Sequence, residues 1–94
     1  MGGRVNDTRI ERVALLVDEV QGCGDSRSAA LMLRDATDEW FGFAQEFPLG
    51  DLDVARVGIL LRKSRSRFDA DDTAAAYPAL SAAQDAIRRV AARC

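Results

Sequence analysis

Ser26-Arg-Ser-Ala-Ala-Leu-Met-Leu-Arg-Asp-Ala-Thr-Asp-Glu-Trp-Phe-Gly-Phe-Ala-Gln-Glu-Phe47 is the stretch on which the fold turns. Within it Ala29, Leu33, Ala36, Trp40, Phe43 and Phe47 recur at spacings of 4, 3, 4, 3 and 4. That is the period of an α-helix with one apolar face, and a strand would need alternation with period two. Asp25 or Ser26 caps the start, and Pro48-Leu49-Gly50 ends the region. Thr37-Asp38-Glu39 reads as a second start signal, a cap followed by acids, so a break near Ala36 leaves one helix or two.

The same reading extends outward on both sides. Upstream, a helix is expected from about Asp7 to Gln21, with Thr8 and Glu11 at capping-box spacing. Ile10, Val13, Ala14, Val17 and Val20 form its apolar stripe, widened by Leu15 and Leu16, and Gly22 and Gly24 end it. Downstream, Asp51 caps a third helix with Asp53 in its first turn, where negative charge suits the helix dipole. Leu52, Ala55 and Ile59 line one flank of it, and Val57, Leu61 and Phe68 line another, which predicts a central and well-buried helix. The last region starts at Asp69-Ala70-Asp71-Asp72-Thr73. Pro78 disfavours helical geometry at Tyr77, so a short helix followed by a second one from Pro78 is expected. Leu80, Ala83, Ile87, Val90 and Cys94 give the final stripe, and Asp85 can pair with Arg89 one turn on.

These elements define an all-α fold, a compact antiparallel helical bundle of four to six helices. Sixteen alanines and few β-branched residues agree with it. At 94 residues the chain forms one domain, 7–94, behind a leader, 1–6, expected to be disordered. Such a chain buries roughly 60–65% of its unfolded surface, for a net stability of about 5–10 kcal/mol. A net charge of −2 argues against nonspecific nucleic-acid binding. The apolar runs fall short of a membrane span. With no apolar signal region at the N-terminus, the expected location is the cytoplasm.

Catalytic chemistry has little to work with. There is no histidine, no glycine-rich phosphate loop and no nucleophile beside an evident activator, so no enzyme activity is expected. Cys23 and Cys94 lie far apart and are read as free thiols. Asp69-x-Asp71-Asp72 lacks the glycine and distal glutamate of a calcium loop. No metal or cofactor is expected.

Charge clusters are what remain. Arg62, Lys63, Arg65 and Arg67 place four cations in six residues. The run reads as a solvated helix C-terminus, where cations favour the dipole, or as a docking surface for protein. Nucleic acid is the weaker candidate, because no aromatics interleave with the cations to stack bases. Asp35, Asp38 and Glu39 form an acidic group, with helix starts explaining many of the other acids. The aromatics Trp40, Phe43 and Phe47 read as core, whereas Phe41 falls off the stripe and becomes an interface candidate if exposed. A basic face on one molecule meeting an acidic face on another predicts a heterologous contact, with another protein or a like domain as partner.

Two family resemblances bear on this. Trp40-Phe41-Gly42 near mid-chain resembles the small secreted Trp-x-Gly helical-hairpin family, which implies that the triplet forms the turn between two long helices. Leu15-Leu16-Val17-Asp18, Asp25-Ser26-Arg27, Leu31-Met32-Leu33-Arg34-Asp35, and Asp53-Val54 leading to Ile59-Leu60-Leu61 are similar in layout to bacterial effector-associated domains. The likeness spans roughly residues 8–92. It implies a death-domain-like bundle of six helices and an adaptor that recruits an effector, by pairing of like domains, in a defence or signalling system. A small stand-alone regulator of the antitoxin or phage-inhibitor type, binding one larger protein, is the alternative reading.

Overall fold

The computed structural model describes residues 8–93. Four helices account for most of them: α1 (Thr8–Gln21), α2 (Ser26–Ala44), α3 (Leu52–Asp69) and α4 (Thr73–Arg93). The expected leader and the cap position before Thr8, on which the Thr8–Glu11 capping box turns, lie outside the described residues, as does Cys94.

Local chemistry sets the helix ends. Gly24 takes a left-handed φ of 70°, which turns the chain between α1 and α2 at no Cβ cost. Asp25 is the cap of α2, its carboxylate accepting from the Ser28 amide at 3.1 Å and from the Ser28 hydroxyl at 2.6 Å. Asp51 caps α3 in the same way, accepting from the Val54 amide at 3.2 Å. Asp72 accepts from the Ala75 amide at the start of α4.

Neither of the two expected breaks is present. At the first, Thr37 is buried within α2, and its hydroxyl donates to the Leu33 carbonyl at 2.6 Å. A threonine satisfied one turn back along its own helix does not act as a cap. At the second, Pro78 lies inside α4. The bond it removes would have used the carbonyl of Ala74, an exposed residue in the first turn, where water can take the place of the missing amide. The chain therefore has four helices rather than six among its described residues. The Trp40-Phe41-Gly42 triplet likewise sits inside α2 and not in a turn. The helix stops at Ala44, short of Phe47, whose ring still reaches the core by packing 4.9 Å from Phe43.

Polar ties at the helix ends fix the topology. Arg9, near the start of α1, pairs with Glu46 just beyond α2. Ser26 at the start of α2 donates to Asp71 beyond α3 at 2.6 Å. Arg93 at the end of α4 bridges Asp51 and Asp53 at the start of α3, at 2.6 and 2.9 Å. Each tie joins the start of one helix to the end of another, so consecutive helices run antiparallel. α4 closes the ring against α1, where Gln21 donates to Gln84 and Gln84 to Asp18. Helices α1 and α3 thus lie diagonally across the bundle.

The core is built on Trp40, whose ring is fully buried and whose Nε1 donates to the Val54 carbonyl at 3.0 Å. A buried donor left unpaired costs about 1–3 kcal/mol, so this bond fixes how α2 sits on α3. Val13, Val17 and Val20 from α1, Leu33 from α2, Val57 and Leu61 from α3, and Leu80 and Val90 from α4 fill the space around it. Phe68 meets Tyr77 edge-on at 5.2 Å and closes the α3–α4 end. Ser64, in the middle of the basic run, is fully buried and donates to the Leu60 carbonyl at 2.8 Å.

Several side chains depart from expectation. Leu15 does not widen the core stripe of α1, being 62% exposed, whereas Leu16 is half-buried. Leu52, Ala55 and Ile59 do not pack inward, and α3 is a one-sided helix rather than a central one. Its buried face is Val54, Val57, Gly58, Leu61, Ser64 and Phe68, which leaves the Leu52 flank facing outward. Asp85 pairs with Arg88 at 2.8 Å, not with Arg89.

Candidate docking surfaces

Helix α3 supplies the cations. Arg56, Arg62, Lys63, Arg65 and Arg67 all belong to it, against two carboxylates, Asp53 and Asp69. Arg65 lies 3.8 Å from Asp69, one turn on. Arg62 lays its guanidinium over the Phe41 ring at 4.6 Å, a cation–π contact that tethers it to α2. Arg56, Lys63 and Arg67 are exposed and reach no carboxylate among the described residues. Of the four cations in the run, two are thus engaged and two, Lys63 and Arg67, are open to a partner.

The acidic group is divided. Glu39 accepts from Arg12 of α1 at 2.7 Å and is half-buried, while Asp35 and Asp38 are exposed on α2 without a cation among the described residues. With Arg9 tied to Glu46 and Arg12 to Glu39, the two arginines of α1 are neutralised by α2. The outer face of α1 then shows Glu11, Leu15, Asp18 and Glu19 to solvent beside the paired but exposed Arg12. The exposed face of α3 is basic and that of α1 acidic, while α2 carries both signs, with Arg27 and Arg34 exposed as well as Asp35 and Asp38.

A surface that sequence reasoning missed lies beside the cations. The end of α2, the 45–51 connection and the first half of α3 enclose an apolar groove of about 380 Å³. Phe41, half-buried, and Phe47 form one wall, Val54 and Gly58 the floor, and Leu49 and Ile59 the other edge, with Arg62 at the rim. Leu49 is fully exposed, Leu52 is 81% exposed and Ile59 65%. The signal was present in the sequence: Val54-Val57-Leu61-Ser64-Phe68 already supplies a complete inward face, so Leu52, Ala55 and Ile59 were one apolar stripe too many. Phe41, picked out as off the main stripe, does line this groove.

The two cap carboxylates are the clearest electrostatic features. Asp51 is held below the ordinary aspartate range by the Arg93 hydrogen bonds and the Val54 amide, and Asp25 by its bonds to Ser28. Both serve the fold as helix caps; Asp51 also lines the groove at the start of α3, whereas Asp25 does not. Cys23 is a free, half-buried thiol in the α1–α2 turn. Among the described residues no group of three metal-ligating side chains converges, and no helix is long and apolar enough to cross a membrane. No protein-family model, no curated protein and no solved structure matches the chain.

Proposed function

We propose that this chain is a non-catalytic, cytoplasmic protein-interaction module, an adaptor or assembly domain that pairs through oppositely charged helix faces. One observation carries the reading. Among the described residues, three exposed cations without an ion pair, Arg56, Lys63 and Arg67, crowd on α3, and four such carboxylates, Glu11, Glu19, Asp35 and Asp38, lie on α1 and α2. Arg27 and Arg34 on α2 and Arg89 on α4 are also exposed without an ion pair there. Like charges crowded on one side repel and weaken the isolated fold slightly, whereas an oppositely charged partner relieves that and gains in encounter rate and orientation. Placement of charge supports this reading by itself, and a role in a defence or signalling system is the further expectation that the effector-associated layout adds.

Charge reversal tests it. Lys63→Glu with Arg67→Glu leaves every ion pair of the described fold in place, because neither side chain makes one. Association of the isolated domain, measured by sedimentation across a concentration series, should weaken by at least tenfold in the variant. Association equal to wild type, or a wild type that stays monomeric throughout, would contradict the proposal and favour a regulator that binds one larger protein.

A further inference from the structure

Among the described residues five large apolar side chains are more than half exposed: Leu15, Leu31, Leu49, Leu52 and Ile59. Two of them, Leu49 and Ile59, line the groove, and Leu52 lies on the outer face of α3 that carries Ile59. The other two stand alone in opposite electrostatic settings. Leu31 has Arg27 four residues before it, Arg34 three after and Asp35 four after, all exposed on α2, a net positive setting. Leu15 has Glu11 four before and Glu19 four after, exposed on the outer face of α1.

The outer face of α3 is a matching strip. Leu52, Arg56, Ile59 and Lys63 follow one another at spacings of 4, 3 and 4, all exposed, so Ile59 is flanked by one cation on each side. The α1 strip is a leucine with a carboxylate four residues before and four after it, against cations three before and four after Ile59; Arg12, three before Leu15, is already paired with Glu39. Pairing the two brings Leu15 onto Ile59 and the mouth of the groove, and sets Glu11 and Glu19 against Arg56 and Lys63. Leu31 is the poorer match, since Arg27 and Arg34 would face the cations of α3 with only Asp35 to offset them.

From this complementarity we infer that the occupant of the groove is a second copy of this chain, with Leu15 of one copy seated between Ile59 and Phe41 of the next. The inference names the partner and the contact face for the interaction reading above, and rests on it. The groove's volume is ample for one aliphatic side chain. Because α1 and α3 lie diagonally, their outer faces point in opposite directions. A copy engaged through its α3 still offers its own α1, so the contact is head-to-tail and grows as an open chain rather than closing as a two-fold dimer.

Leu15→Gln and Ile59→Gln test this directly. Both positions are exposed and helical, so unchanged helicity and melting temperature serve as the folding control. Each variant keeps one face intact. Alone, each should associate at least tenfold more weakly than wild type. Mixed one to one, they should form a dimer of about twice the 10.2 kDa chain mass and stop there, since only one good contact can form. A mixture that stays monomeric, or a single variant that assembles like wild type, would overturn the pairing. If the Gln variants assemble normally while the Lys63–Arg67 reversal does not, the face is wrong and the interaction reading stands. If wild type itself never associates, both fall.

Discussion

Gly42 and Gly24 show how much depends on where a residue stands. Gly42 lies in the exposed face of α2, and a Cβ added there would meet nothing within 4 Å. Gly42→Ala should therefore raise stability by about 1 kcal/mol, from helix propensity and lower unfolded-state entropy. In a domain of this size that is a rise of about 4–8 °C in melting temperature. Gly24 has equal space around it but a φ of 70°, so Gly24→Ala forces a side chain into the left-handed region and should cost about 1–2 kcal/mol. Differential scanning calorimetry of the two variants should move in opposite directions. Residue-level chemistry of this kind was legible in sequence where a single side chain decides it: Asp51 as a cap, Gly22 to Gly24 as a stop. It was not legible where two roles competed for one residue. Thr37 carries the signature of a helix start, and only its burial beside Leu33 selects the back-bonded hydroxyl instead.

Among the elements, α3 and α4 are joined by charge at one end. Arg93 clamps the carboxylates that open α3, and this holds Asp51 below the usual 3.8 of an aspartate. A carboxyl whose folded value is lowered adds stability that is complete above its unfolded value and is lost as pH falls through the folded one. Asp51→Asn keeps a good cap but removes the charge. The variant should be less stable than wild type near pH 7, and the gap should narrow as pH falls through and below the ordinary aspartate range. A gap that stays constant with pH would place the effect in the cap alone. Pro78 is the second element-scale test. It interrupts the ladder of α4 at a point where the freed carbonyl faces water, and Pro78→Ala should lengthen the ladder and stabilise by about 1–3 kcal/mol, read from urea unfolding. The helical period was plain in all four elements, because apolar spacing alone determines it. The break expected at Tyr77 was the misreading: sequence shows the proline, whereas the exposure of Ala74 that makes it tolerable belongs to the packed bundle.

At the scale of the molecule, the all-α antiparallel architecture follows from the stripes and short connections. The docking surfaces were half legible. Charge clusters are visible in any sequence, and Lys63 and Arg67 stand open as that reading supposed. Which charges are already neutralised across helices is a property of the fold: Glu39 is taken by Arg12, Arg65 sits beside Asp69, and Arg62 rests on Phe41. Those pairings leave an acidic strip around Leu15 and a basic strip around Ile59 on opposite sides of the bundle. The molecule is then built as a unit with two unlike ends. Attraction between exposed charges is screened beyond a Debye length of about 10 Å at 0.1 M salt, and that length shortens as salt rises, so association through these strips should be strongly salt-dependent. The measurement that bears most directly on this is sedimentation velocity of the wild-type domain over a concentration series at about 0.05 M and about 0.5 M salt. The account predicts species that grow past a dimer as concentration rises at low salt and fall back toward the 10.2 kDa monomer at high salt. A single monomeric species throughout, or a closed dimer indifferent to salt, would contradict it.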